Sequence, residues 1–145
     1  MVKTEKVVFR FERLDVWRKA ADLAGALYSM TKAFPREEMF GLTTQLRRAG
    51  VSVAANIAEG VSRGSRKDQA RFFEIAYGSL YEIVALLHIA SEQGWIDGAQ
   101  LMTAREEIDT MCRMLSGLKR SLFADPAPDD AGPLDSGNTT LDPRL

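Results

Sequence analysis

The chain predicts an all-α fold: an antiparallel up-down-up-down four-helix bundle over residues 1–123, followed by a disordered acidic tail over residues 124–145. Three observations carry this. Apolar residues recur at alternating three- and four-residue spacings through four long stretches, the period of one helix face. No Asn-Gly or Asp-Gly joins two alternating runs, and Asp97-Gly98 opens a helical pattern instead. Composition then shifts abruptly after Phe123.

The first helix is expected from about Asp15 to Ala33, stopped by Pro35. Its main stripe is Val16, Ala20, Leu23, Leu27, Met30 and Phe34, and a second stripe of Trp17, Ala21, Ala24 and Tyr28 lies beside it. One stripe suffices for a surface helix, so two imply two packing partners. The second helix is expected from about Phe40 to Ser62, with the seam Leu42, Leu46, Ala49, Val53, Ile57 and Gly60. It is rich in small residues, and Gly50 in its interior costs about 1 kcal/mol relative to Ala. Close approach of a neighbouring helix explains it.

Ser65 with Asp68 three residues on is expected to cap the third helix, which runs to about Gln93 with Gly94 as its stop. Its seam is Phe73, Ala76, Leu80, Ile83, Leu87 and Ala90, with Phe72, Leu86 and Ile89 forming a second apolar edge. Asp97 with Gln100 caps the fourth, whose inner face runs from Leu101 through Ile108 and Leu115 to Leu122. Short connections favour antiparallel neighbours. The additional apolar edges on the first and third helices argue for self-association, against the plainer reading that a wide stripe suits a thick core.

At 145 residues, with 46% apolar and 27% charged residues, the chain is one domain's worth. A single Cys, Cys112, excludes a disulfide framework, and a single His, His88, excludes a two-histidine metal site. Neither a metal nor a cofactor is expected. No apolar run approaches the roughly 18 residues of a membrane span, and no secretory leader is expected. No membrane association and a cytoplasmic setting are therefore expected. The segment after Phe123 holds four of the five prolines, five Asp and one basic residue, Arg144, too little apolar surface to offset ordering.

Catalysis is not expected. Residue 85, three before His88, is Ala85, so the Glu-x-x-His of di-iron bundles is missing. The stretch from Gly60 to Ser65 has neither the spacing nor the Lys of a phosphate-binding loop. His88 reads as a partly exposed helix residue and Cys112 as a small core filler.

Charge placement says more than net charge, which is only −1. Antiparallel threading sets thirteen Lys or Arg against five Asp or Glu at one end of the bundle, a net of +8, while the other end is acidic. Basic residues at closing helix ends suit the helix dipole. Arg66, Lys67 and Arg71 at the start of the third helix, and Arg18 and Lys19 in the first, oppose it, by about 0.3–1 kcal/mol each. With Arg63 these six form a candidate nucleic-acid-binding set, weighed evenly against an uninvolved solvated face. Contacts to phosphates rather than bases are expected. The tail leaves from this basic end, so its aspartates are expected to compete with nucleic acid there.

The stretch from Phe40 to Gly60, FGLTTQLRRAGVSVAANIAEG, together with Leu14-Asp-Val-Trp17, Phe34-Pro35, Arg63-Gly-Ser65, Phe72-Phe73 and Gly78-Ser-Leu-Tyr-Glu82, closely resembles the four-helix-bundle family described from intervening sequences of bacterial 23S ribosomal RNA genes, the S23 proteins. The resemblance runs in order from about Phe11 to Leu122. It implies an antiparallel bundle and a ring-like homo-oligomer, a pentamer as in the related accessory variability proteins of diversity-generating retroelements, which bind nucleic acid and a reverse transcriptase. Those relatives are more basic than this chain, whose pI is about 5.9. Within the motif, Gln45, Arg47, Arg48, Ser52, Asn56 and Glu59 are expected to form a polar network, at a subunit interface or as a ligand site.

Two functions follow. One is an oligomeric, non-enzymatic bundle that binds RNA or DNA backbone through its basic end, as accessory to an enzyme such as a reverse transcriptase. The alternative is a protein–protein scaffold without nucleic acid.

Overall fold

The computed structural model describes residues 5–124. The expected tail, apart from Ala124, lies outside the described residues, as does Lys3. Four helices follow in order: α1 (Asp15–Thr31), α2 (Leu42–Ser62), α3 (Arg66–Glu92) and α4 (Gly98–Phe123). Short 3-10 turns at Arg10–Arg13 and Arg36–Glu38 precede α1 and α2. Each helix packs on the next, α2 most extensively on α3, whereas α1 and α4 touch only lightly. The bundle is all-α and up-down, as expected.

The boundaries have local causes. α1 stops at Thr31, two residues before the expected end, and the chain turns through Arg36–Glu38. Because that turn occupies the approach, α2 starts at Leu42 rather than Phe40, with the Glu38 carboxylate accepting from the Leu42 N–H at 3.0 Å. Ser65 Oγ accepts from the Asp68 N–H at 3.1 Å and opens α3. At its far end Gly94 takes φ +79°, a conformation that favours glycine. The Gly94 and Trp95 N–H groups bond back to the carbonyls of Ser91 and Ala90, a Schellman stop. Asp97 and Gln100 form a reciprocal capping box on α4, with bonds of 2.7 and 2.9 Å.

The anticipated seams are the core. On α3 all six expected positions, Phe73, Ala76, Leu80, Ile83, Leu87 and Ala90, are buried. By length and composition α3 is apolar enough to cross a bilayer, with mean hydropathy 1.4 over its best 18 residues. Glu74 and Glu82 punctuate the helix, so no single apolar run in the sequence marks it. Here its buried face packs against α2 and α4. Phe34 and Trp95, ring centroids 5.5 Å apart, tie the α1–α2 and α3–α4 connections at one end.

α2 approaches both neighbours through glycines. A Cβ on Gly50 would lie 2.8 Å from Leu27 Cδ1 and 3.3 Å from Ala24 Cα of α1. One on Gly60 would lie 2.8 Å from Phe73 Cε1 and 3.1 Å from Phe72 Cβ of α3. Gly25 on α1, by contrast, faces open space. Gly50→Ala is therefore expected to destabilise the fold by about 1–2 kcal/mol, because overpacking outweighs the gain of roughly 1 kcal/mol in helix propensity. Gly25→Ala is expected to stabilise it by up to about 1 kcal/mol. Urea denaturation of the two variants checks both signs; a stabilised Gly50→Ala would remove the close-approach account of α2.

Candidate functional site

The start of α1, the close of α2, the start of α3 and the close of α4 meet at one end of the bundle. Arg10 donates to the Val61 carbonyl at 2.6 Å, joining the first turn to the end of α2. Lys119 of α4 pairs with Glu74 of α3. The three-residue turn between α2 and α3 is held by Gln69, whose Nε2 donates to the Arg63 carbonyl at 3.0 Å.

Around this turn the cations condense on one aromatic ring. Phe72 is half-buried, and the guanidiniums of Arg63 and Arg71 lie 4.7 and 5.0 Å from its centroid. Such stacking orients a guanidinium without neutralising it, at about 0.5–1 kcal/mol for an exposed site. Arg63 also pairs with Glu59 one turn back along the chain. Arg66 and Lys67 are exposed in the first turn of α3, where the backbone N–H groups point outward. The patch thus consists of Arg10, Arg63, Arg66, Lys67 and Arg71, with Glu59 and Asp68 as its carboxylates. Arg10 was legible as a cation of this end, but not its docking on α2; only the fold brings it in.

The two α1 members of the expected set lie apart from the patch. Arg18 is engaged locally, pairing with Asp15 and donating to the Glu12 carbonyl. Lys19 lies in the cleft between α1 and α4 with Asp22, Glu106 and Glu107. Further cations of this end are also matched: Lys6 reaches Glu12, and Arg113 pairs with Asp109 a turn earlier on α4. Local pairing therefore disperses much of the excess charge that whole-end counting assigned, and the strongest concentration remains at the α2–α3 turn.

The motif residues of α2 divide between its neighbours within the chain. Arg47 turns toward α1, where its Nε donates to Thr31 Oγ1 at 2.9 Å and its guanidinium covers the Tyr28 ring at 4.7 Å. Thr31 is buried and donates in turn to the Leu27 carbonyl, so a buried hydroxyl is fully used. Ser52 turns toward α3 and shares a 3.0 Å hydrogen bond with Ser79, while Asn56 Nδ2 donates to the Ser52 carbonyl and Oγ. Glu59 belongs to the Arg63 pair, and Gln45 and Arg48 are exposed. Partners such as Thr31 and Ser79 were not legible, because hydroxyls carry no spacing signal.

A second surface feature is a groove of about 1100 Å³ between α3 and α4. Tyr77 and Tyr81 stack at its side with centroids 5.0 Å apart, and the Tyr77 hydroxyl donates to that of Tyr81 at 3.2 Å. That hydrogen bond, with burial and the neighbouring phenol adding to it, pushes the Tyr77 pKa up to about 12. Cys112 on the floor is a buried free thiol. Burial, then the nearby Asp109 carboxylate, pushes its pKa up. His88 is exposed and bonded to Glu92 at 3.1 Å. Among the described residues no cluster of three or more His, Cys, Asp or Glu could hold a metal ion.

The family model of the 23S rRNA-intervening sequence proteins matches residues 12–117. Among solved structures, the chain resembles a protein of unknown function from the S23 ribosomal protein family of Bacteroides thetaiotaomicron. The TM-score is 0.67 at 22% identity, covering 72% of this chain and 98% of that one. At that identity the likeness establishes the fold alone. No curated protein matches the chain.

The Cys112 environment generates a pH dependence. The unfolded thiol titrates near ~8.5, and the folded thiol above that. Below both values the proton is held in either state and the stability contribution is complete. As pH rises past the unfolded value, the unfolded chain loses its proton first, so this contribution falls. Alkylation by iodoacetamide at pH 8 is expected to be slow in the native protein and to reach the rate of an ordinary cysteine in urea; equal rates would place the thiol in solvent.

Proposed function

We propose, from the premise that the chain belongs to the 23S rRNA-intervening sequence protein family, that it is an oligomeric, non-enzymatic bundle that binds the nucleic-acid backbone through the α2–α3 turn. The observation that carries the reading is the exposed Arg66 and Lys67 in the first turn of α3. Cations there oppose the helix dipole by about 0.3–1 kcal/mol each. Phosphate would offset that cost, since it can bridge their side chains and the outward N–H groups of the same turn. Arg63 and Arg71, oriented on Phe72, extend the cationic surface along the α3 start.

Binding rather than catalysis accords with the two side chains best suited to covalent or acid–base chemistry. Cys112 is buried with its thiol pKa pushed up, and His88, which lines the same groove, is engaged by Glu92 on the exposed side of α3. Self-association draws support from large apolar side chains left exposed on three helices: Tyr28, Val51 and Ile75. A pentameric ring, and a role as accessory to a nucleic-acid enzyme such as a reverse transcriptase, rest on the resemblance to retroelement accessory proteins and form the finer part of this proposal.

The triple variant Arg66→Glu, Lys67→Glu, Arg71→Glu is expected to lose retention on a heparin column at low salt. Glutamates in the first turn complement the dipole and offset the lost stacking of Arg71 on Phe72, so its thermal midpoint is expected to stay close to that of the native protein, which separates lost binding from lost folding. The native protein is expected to elute earlier as salt increases, as phosphate contacts require. Unchanged retention of the variant would favour the scaffold reading, with no nucleic-acid contact at this surface. Light scattering with and without a short RNA reads assembly size and binding together.

A further inference from the structure

The groove between α3 and α4 is open along its length, and nothing in the proposed function uses it. Its floor is apolar, formed by Val84, Ile108 and Cys112. Its α4 side carries Arg105, Arg113 and Arg120 against the single carboxylate Asp109, which pairs with Arg113 and leaves a net excess of two cations along the groove. Such a groove suits an extended, acidic segment with occasional apolar side chains, and it disfavours a basic or uniformly apolar one.

The sequence contains one such segment. Residues 125–145 follow directly on the end of α4 and hold five Asp against Arg144, with Leu134 beside Asp135 and Leu141 beside Asp142. From Arg120 to Arg105 along α4 is about 22 Å at the helical rise of ~1.5 Å per residue. An extended proline-rich chain covers this in about seven residues at ~3.1 Å each. Twenty-one residues therefore suffice to turn back at the end of α4 and run the whole groove. Tethering adds to the match, because a segment fused to its site acts at an effective concentration in the millimolar range. Weak exposed ion pairs and one or two buried leucines are then enough to fill it.

We propose that the acidic segment 125–145 docks back into the α3–α4 groove of its own chain, its aspartates on Arg113 and Arg120 and Leu134 on the apolar floor. This places the aspartates away from Lys67 and Arg71. It differs from direct competition at the α2–α3 turn, and it does not depend on nucleic-acid binding.

The test uses the full chain with Leu134→p-benzoylphenylalanine, a large apolar photoreactive replacement C-terminal to α4. After irradiation, cross-links are mapped by mass spectrometry in a mixture of 15N-labelled and unlabelled protein. The expected result is cross-links to peptides containing residues 77–89 and 105–116, both halves from the same isotopic form. Adding Arg113→Glu and Arg120→Glu, both at exposed positions, is expected to cut the yield at least fivefold, with circular dichroism confirming the fold. Cross-links of mixed isotopic form would assign the groove to another copy's segment. Cross-links to residues 63–71, or none to the helices, would likewise overturn the proposal. The map decides this even if the double variant fails to fold.

Discussion

The architecture depends on how closely α2 lies against its neighbours. At Gly50 the α2 backbone comes within side-chain contact of Leu27 and Ala24 on α1, and at Gly60 within contact of Phe72 and Phe73 on α3. These two points fix where the helices sit along one another. The α3 contact also aligns the end of α2 with the first turns of α3, which is what concentrates Arg63, Arg66, Lys67 and Arg71. Van der Waals contact is lost steeply with distance, so a side chain at Gly50 would reset the spacing of the core and one at Gly60 the geometry of the basic turn.

Phe72 connects that packing constraint to electrostatics. Its inner side meets the space left by Gly60, and its ring lies beneath two guanidiniums. A single residue therefore belongs to the helix contact and to the candidate polyanion surface. Exposed charges at the end of a helix ordinarily sample many rotamers. Stacking restricts Arg63 and Arg71 beforehand, which lowers the ordering cost of any later contact with phosphate.

Much of the fold was legible because helical period and capping are local. The seams of α2 and α3, the Ser65 and Asp97 caps and the Gly94 stop each follow from residues within a few positions of one another. The same locality explains what was missed. The two-residue differences at the end of α1 and the start of α2 flank the Arg36–Glu38 turn, a 3-10 turn that apolar periodicity does not signal. The candidate site was legible as a charge pattern but not as a set of neighbours. Assigning Lys19 to an end of the bundle gave no information on which side of α1 it occupies, and the fold turns it toward Glu106 and Glu107. Ion pairs one turn apart, such as Arg113 with Asp109, could have been subtracted from sequence spacing alone. The expected α2 network resolves into contacts with two different helices, since Arg47 and Ser52 lie at angles that diverge along a helix.

The asymmetry of the bundle explains why α4 presents so much unclaimed surface. α2 is embraced on both sides, but α4 packs well only on α3 and touches α1 lightly. A helix with one good neighbour leaves a groove on its outer flank, and here that flank carries arginines above an apolar floor. Water solvates the arginines well and the floor poorly, so the surface gains most from an occupant that supplies carboxylates and alkyl groups together. The basic α2–α3 turn has the opposite character, with its aromatic ring already covered by its own guanidiniums. It therefore offers charge without exposed apolar area. The two surfaces select for different chemistry, and an acidic segment containing leucines gains more from the groove than from the turn.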